Sequence, residues 1–299
     1  MTKQDCLHRF IFENLPIRGE VIELHETVQT ILNQHPYPPA IRQLLGEALC
    51  VAGLLSAIIK FNGRLTVQFR GQGKLKLLIA QCDNDFHLRG LVKYSDDLSH
   101  DDLMKSFDQG VLVILLDSDA NNSHYQGIVS WRGNSLVESI EGYFKDSEQL
   151  ATKIWLAVNE TQAAGLLLQI IPDKTKDSTI ENEILMPHWE QMIKQTAHLT
   201  SHDLLTMDHQ DLLRKLYPEE EIRVFPSVPI SFQCTCSRKR GADAILLLGR
   251  EEAEAELNEK QVIVVTCDFC KSEYIFDRVD IQKLFIDRDN YPPSQTQLH

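Results

Sequence analysis

Clustered positive charge is what this chain most clearly lacks. Its 30 Lys and Arg stand against 43 Asp and Glu, a formal net charge of −13 over 299 residues. Counterion release needs Lys and Arg gathered together, so a general binder of nucleic acid or anionic membrane is excluded as a first reading. A long uninterrupted apolar run is also missing. The longest apolar helical candidate, Ala48 to Ile59, is bracketed by Glu47 and Lys60 and reads as too short to span a bilayer. Met1 to Leu15 carries Lys3, Asp5, His8, Arg9 and Glu13, where a secretion signal would need an apolar core. No membrane partner and a cytoplasmic location are the expectation. Internal repeats and low-complexity tracts are absent, as are a Gly-x-Ser-x-Gly elbow and a His-Glu-x-x-His pair. Gly71-Gln72-Gly73 lacks the Gly-Lys-Ser/Thr of a phosphate loop and reads as a hairpin turn. No catalytic or cofactor-binding residue is therefore assigned, and an enzyme is not expected.

What is present is a concentration of thiols near the end of the chain. Cys234-Thr235-Cys236 is followed, thirty residues on, by Cys267-Asp268-Phe269-Cys270. Two short-spaced pairs with a moderate gap are a specific signal for a zinc site. Four sulfur ligands close the coordination sphere, which argues for a structural knuckle and against a Lewis-acid hydrolase. A thiolate is also an oxidisable nucleophile, so the same cluster can sense oxidant. Knuckle ligands are usually separated by two or more residues, whereas here only Thr235 intervenes in the first pair, and Arg238, Lys239 and Arg240 follow to favour thiolates. Oxidation would remove the metal together with about 10–16 kcal/mol of apparent binding energy. A small domain has no such reserve, so it should unfold.

The length suggests about two domains. Residues 1–172 read as an α/β core domain. Strands are expected at Arg9–Glu13, Gly19–Leu24, Arg64–Phe69, Lys74–Gln81, Leu88–Tyr94, Val111–Leu116 and Tyr125–Trp131, and the apolar run Ala164–Ile171 ends the domain at Pro172. Helical spacing occurs at Glu26–Asn33, Ala40–Lys60, Ser135–Phe144 and Glu148–Val158. Gly46 and Gly53 share one face of the Ala40–Lys60 helix and mark close backbone packing. Residues 173–226 read as a helical linker, with Asp173–Ser178 as its boundary and starts at Thr200/Asp203 and Asp208/Asp211. Its apolar sets, Leu185, Trp189, Met192 and Ile193, then Leu204, Leu205, Leu212, Leu213 and Leu216, are too short to form a core and must dock on a neighbour. Residues 227–285 form a small zinc unit, with a helix to Glu259, strands at Gln261–Thr266 and Glu273–Phe276, and a last short helix to Phe285. Residues 286–299 read as a frayed tail. The fold class is α+β.

Other candidates have plainer explanations. Cys6, Cys50 and Cys82 read as core or incidental positions, because free cysteine is among the most buried residue types. His188, His198, His202 and His209 read as residues of solvated helix faces.

The pattern Phe232-Gln233-Cys234-Thr235-Cys236-Ser237-Arg238 with Thr266-Cys267-Asp268-Phe269-Cys270 resembles the 33 kDa chaperonin family, the redox-regulated heat-shock chaperones. Leu45-Gly46-Glu47-Ala48 through Lys60-Phe61-Asn62-Gly63 is similar to the same family. So are Gln68-Phe69-Arg70-Gly71-Gln72-Gly73, Tyr125-Gln126-Gly127-Ile128-Val129, Tyr143 to Leu150 and Ala164 to Gln169. The resemblance runs from about Arg9 to Phe285. It implies an ATP-independent holdase with a metastable linker, silent when reduced and holding one Zn(2+) per chain on Cys234, Cys236, Cys267 and Cys270. It further implies that oxidation joins Cys234 with Cys236 and Cys267 with Cys270, that the linker unfolds and a homodimer forms, and that unfolding client proteins are bound. Two other readings stand beside it. One is a zinc-ribbon interaction module, although residues 232–299 carry nine Lys and Arg against twelve Asp and Glu, a net of −3. The other is a thiol–disulfide oxidoreductase using Cys267 and Cys270, for which no thioredoxin-like βαβ context is present.

Overall fold

The structure, a computed structural model, describes residues 4–96, 98–108, 110–118, 124–133, 135–171 and 178–290. The chain divides into two compact units, Met1–Gln233 and Cys234–His299.

The first unit opens with β1 (Cys6–Phe12) and β2 (Ile17–Leu24), then α1 (Glu26–Leu32) and α2 (Pro39–Ile58). Next come β3 (Gly63–Gly71), β4 (Leu75–Asp83), β5 (His87–Tyr94), α3 (His100–Asp108), β6 (Gly110–Ser118), β7 (His124–Val129) and α4 (Leu136–Tyr143). A π turn over Phe144–Glu148 leads to β8 (Thr152–Val158) and β9 (Ala163–Ile170). Helices α5 (Ser178–Thr196), α6 (Ser201–Thr206) and α7 (His209–Leu216) follow, then β10 (Ile222–Val224), β11 (Val228–Pro229) and β12 (Ser231–Phe232). The second unit holds α8 (Arg238–Leu248), α9 (Arg250–Lys260), the hairpin β13 (Ile263–Thr266) and β14 (Glu273–Phe276), and α10 (Arg278–Asn290).

Two sheets enclose α2. One runs β10-β1-β2-β9-β8 with β11 also on β1, and the other β12-β5-β4-β3-β6-β7. The helix packs against β2, β8 and β9 on one side and β3, β4 and β5 on the other. Its stripe is accordingly broad, with Ile41, Leu45, Leu49, Ala52 and Leu55 all fully buried. A side chain at Gly53 would meet Ile22 of β2, and one at Gly46 would meet Val158 of β8, so these glycines set the close approach. By length and composition alone α2 could cross a membrane, contrary to the expectation from Ala48–Ile59, because the helix begins at Pro39 and is 20 residues long. Here those residues form the centre of the core.

The first sheet is buried on both faces. Along β9, Ala163 and Leu167 join the α2 core, while Ala164, Leu166 and Leu168 face a second cluster with Phe10, Phe12, Ile17 and Val21. That second cluster is completed by Leu185, Trp189, Met192, Leu204, Leu212, Leu213, Leu216 and Tyr217 of the helical segment after β9. The apolar stripes that could not form a core alone are docked on the sheet. Thr200 and Asp203 form a reciprocal capping box, and Asp208 accepts from the Gln210 backbone N–H.

Several expectations change. Glu148–Val158 is not helical; Thr152–Val158 is a strand paired with β9, and Thr152, Ile154, Trp155 and Val158 are residue types that suit a pleated surface. The helix α3 was not anticipated, although Ser99 and Asp102 bond each other's backbone N–H at its start. The helix expected to reach Glu259 is broken at Gly249, whose φ of 103° favours glycine. The last helix continues past Phe285 to Asn290, so the first part of the expected tail is helical. Residues 291–299 and the boundary residues 173–177 lie outside the described residues. Val228–Phe232, placed by sequence with the zinc unit, instead extends the sheets of the first unit through β1 and β5.

Candidate metal centre

Cys234 and Cys236 lie on the extended segment entering α8, whose N-terminus Ser237 caps by accepting from the Arg240 backbone N–H. Cys267 and Cys270 sit in the turn of the β13–β14 hairpin. Cys267 N–H donates to Ser272 O, Lys271 N–H donates to Cys267 O, and Lys271 adopts a left-handed φ of 59° that closes the turn.

The two segments bring all four sulfurs within 4.8 Å of one another. Cys234 Sγ and Cys267 Sγ are 3.6 Å apart, and Cys236 Sγ and Cys270 Sγ 3.3 Å. Tetrahedral Zn–S bonds of about 2.3 Å require sulfurs about 3.8 Å apart. The donor set and its spacing therefore fit one metal ion of the zinc type, with every ligand supplied by sulfur. Around them lies a small core: Ala242, Ile245, Ala253, Leu257, Ile263, Phe276, Ile281 and Phe285. So small an apolar interior rarely stabilises a unit of this size without a cross-link.

The sulfurs are not equivalent. Burial pushes Cys234 up to about 12 and raises Cys267 as well. Burial also works against a Cys270 thiolate, yet the Ser272 hydroxyl and backbone N–H, with Cys236 and Cys234 nearby, hold Cys270 down to about 6. Tyr274 donates its hydroxyl to Cys236 Sγ at 3.1 Å, and Ser272 Oγ is 3.2 Å from Cys270 Sγ. Sequence reasoning missed these hydroxyls, which hydrogen-bond two of the four sulfurs; the only cue was their position within four residues of Cys270. The basic run acts differently from expectation. Arg238 bonds Ile275 O and Asp280 and covers the Phe276 ring, and Arg240 bonds Thr235 Oγ1, so both brace the unit.

Cys50 and Cys82 are buried among core residues, and burial raises both thiols, Cys82 to about 12. Cys6 departs from the core reading, with its sulfur 3.0 Å from His8 Nε2. His188, His198 and His202 are exposed as expected. His209 is not on a solvated face: its ring stacks on His8 with centroids 3.5 Å apart.

A family model described as "Hsp33 protein" matches residues 5–277. The 33 kDa chaperonin of Nitrosococcus oceani is 39% identical over 99% of this chain and 100% of its own length. That of Azotobacter vinelandii is 38% identical over 99% of this chain, again across its full length. The crystal structure of the 33 kDa chaperonin of Thermotoga maritima superposes with a TM-score of 0.81 over 96% of this chain and all of its own; at 23% identity it speaks for the fold. A match to the family model over nearly the whole length, joined to relatives near two-fifths identity, makes this chain a member of the Hsp33 family of chaperones.

Proposed function

We propose that the protein is a redox-regulated, ATP-independent holdase of the cytoplasm that binds unfolding proteins under oxidative stress, with no catalytic reaction of its own. The single observation that carries this reading is the convergence of four oxidisable sulfurs in a unit with only a sparse apolar core. In the reduced protein, Cys234, Cys236, Cys267 and Cys270 hold one zinc ion. The ion, when bound, supplies the cross-link that the unit's small core cannot.

Oxidation removes two electrons from each pair of sulfurs, and a peroxide that accepts them leaves as water. The sulfurs joined in disulfides no longer serve as thiolate ligands, and the second unit loses its fold. The family pairing joins Cys234 with Cys236 and Cys267 with Cys270. The shortest sulfur distances run between the pairs instead, so peptide mapping of the oxidised protein is the direct check on which bonds form.

The helical segment α5–α7 is the second moving part. Its Leu, Met and Trp side chains cover an apolar sheet face and, once released, would offer a sticky surface for unfolded chains. Pro187 inside α5 supports its metastability, since an internal proline removes a helix hydrogen bond and costs about 3 kcal/mol. The oxidised form is a homodimer in this reading, and neither nucleic acid nor membrane is a partner.

The test is light scattering from a thermally unfolding client with the reduced or the peroxide-oxidised protein. Suppression by the oxidised form alone supports the switch, and equal suppression by both removes it.

A further inference from the structure

A second set of metal donors lies in the first unit. Cys6 and His8 are two residues apart on β1, so their side chains project from the same face of the strand. Glu23 of β2 is the register partner of Cys6. Cys6 Sγ lies 3.0 Å from His8 Nε2 and 3.8 Å from Glu23 Oε2, and all three donor atoms fall within 4.8 Å of one another. His8 and Glu23 are each only 7% exposed.

The same face of β1 continues into Phe10 and Phe12, which are buried among apolar side chains. A thiol, an imidazole and a carboxylate converging at the edge of such a surface carry a desolvation cost that a bound cation would offset. Thiolate, imidazole and carboxylate together are a zinc-type donor set, whereas magnesium and calcium take oxygen ligands. Another cluster, Asp83, Asp85 and His87, shows the contrast. There Asp83 Oδ1 accepts the backbone N–H groups of Asp85 and His87 while Oδ2 meets His87 Nδ1, so the turn itself accounts for the grouping.

We propose that Cys6, His8 and Glu23 form a second metal site, which takes a zinc-like, borderline-soft divalent cation. With three protein ligands the site keeps a coordination position for a fourth donor, unlike the four-sulfur centre. The His209 ring at the start of α7, stacked on His8, positions that imidazole and lies beside the site. The site is independent of the four-cysteine centre and of the holdase reading.

The test is zinc titration of the reduced, metal-stripped full chain, with bound metal counted after gel filtration. Two zinc ions per chain are expected for the natural sequence and one for Cys6→Ser, with circular dichroism showing that the variant is folded. A chain with Cys234, Cys236, Cys267 and Cys270 all changed to Ser separates the two sites and should keep one zinc. Loaded with cobalt(II), that chain should show a thiolate-to-metal charge-transfer band, which disappears on adding Cys6→Ser. A natural chain that saturates at one zinc, or a four-serine chain that binds none and gives no band, overturns the proposal.

Discussion

Thr196 Oγ1 and Tyr217 Oη lie 2.6 Å apart in a buried contact that ties the end of α5 to the residue after α7. The Thr196 hydroxyl also reaches Met192 O at 2.8 Å, and the Tyr217 ring meets Phe12 edge-on. One pair thus joins the end of α5 to the end of α7, and through Phe12 to β1. Tyr217→Phe keeps the ring and leaves Thr196 with its backbone acceptor, so the loss should be about 1 kcal/mol. Hydrogen exchange across residues 185–217 should rise several-fold, and half-activation should need less oxidant. Unchanged exchange there would show that the contact is incidental.

Pro187 offers the opposite lever. Pro187→Ala restores a helix hydrogen bond and should stabilise α5 by about 3 kcal/mol. The expected phenotype is a chaperone slower to activate, read as a longer lag before suppression of client aggregation at fixed peroxide. A faster response would contradict the role given to this segment.

Metal removal should act on the two units unequally. On the proposed reading, chelation of the reduced protein would take away a metal cross-link of the second unit, whose core has few members, while the α2 core of the first is far larger. Circular dichroism should show partial loss of helix, and mass-resolved hydrogen exchange should place that loss in residues 234–290. Loss spread evenly over both units would argue that the first also leans on the ion.

Glu20 makes stability depend on pH. Its side chain is buried, Oε2 has no hydrogen-bond partner among the described residues, and burial pushes the carboxyl up to about 8, against the pull of Arg18 and Arg9. Between the unfolded value of about 4.5 and that raised value, the folded protein holds a proton that the unfolded chain releases. Stability of the first unit should therefore fall as pH rises through that window, by a few kcal/mol in all. Glu20→Gln should flatten the dependence and gain most near pH 8. Urea midpoints measured from pH 5 to 8 give the comparison, and parallel curves for the two proteins would refute it.

Local chemistry was the legible part. The Gly71-Gln72-Gly73 turn between β3 and β4, the broad stripe of α2 and the Thr200 cap all depend on residues within one or two turns of each other. The convergence of the four cysteines was legible for a related reason, because two short-spaced pairs of one residue type announce a cluster by type and spacing. The strand at Thr152–Val158 was misread because an apolar segment of that length suits either period, and its pairing with β9 decides the matter.

The amino-acid sequence by itself determined that this protein has an α+β core, a cluster of four cysteines near its end, and amphipathic stripes that must be covered. Tertiary structure alone decided what covers them, because burial of the helical segment depends on a sheet face that pairs β1 and β2, at the start of the chain, with the distant β9. It also decided that Cys6 meets Glu23 and that His209 lies on His8, which depend on strand register and on helix docking. Periodicity reports which face of an element is apolar, but what that face meets is settled only when the whole core closes.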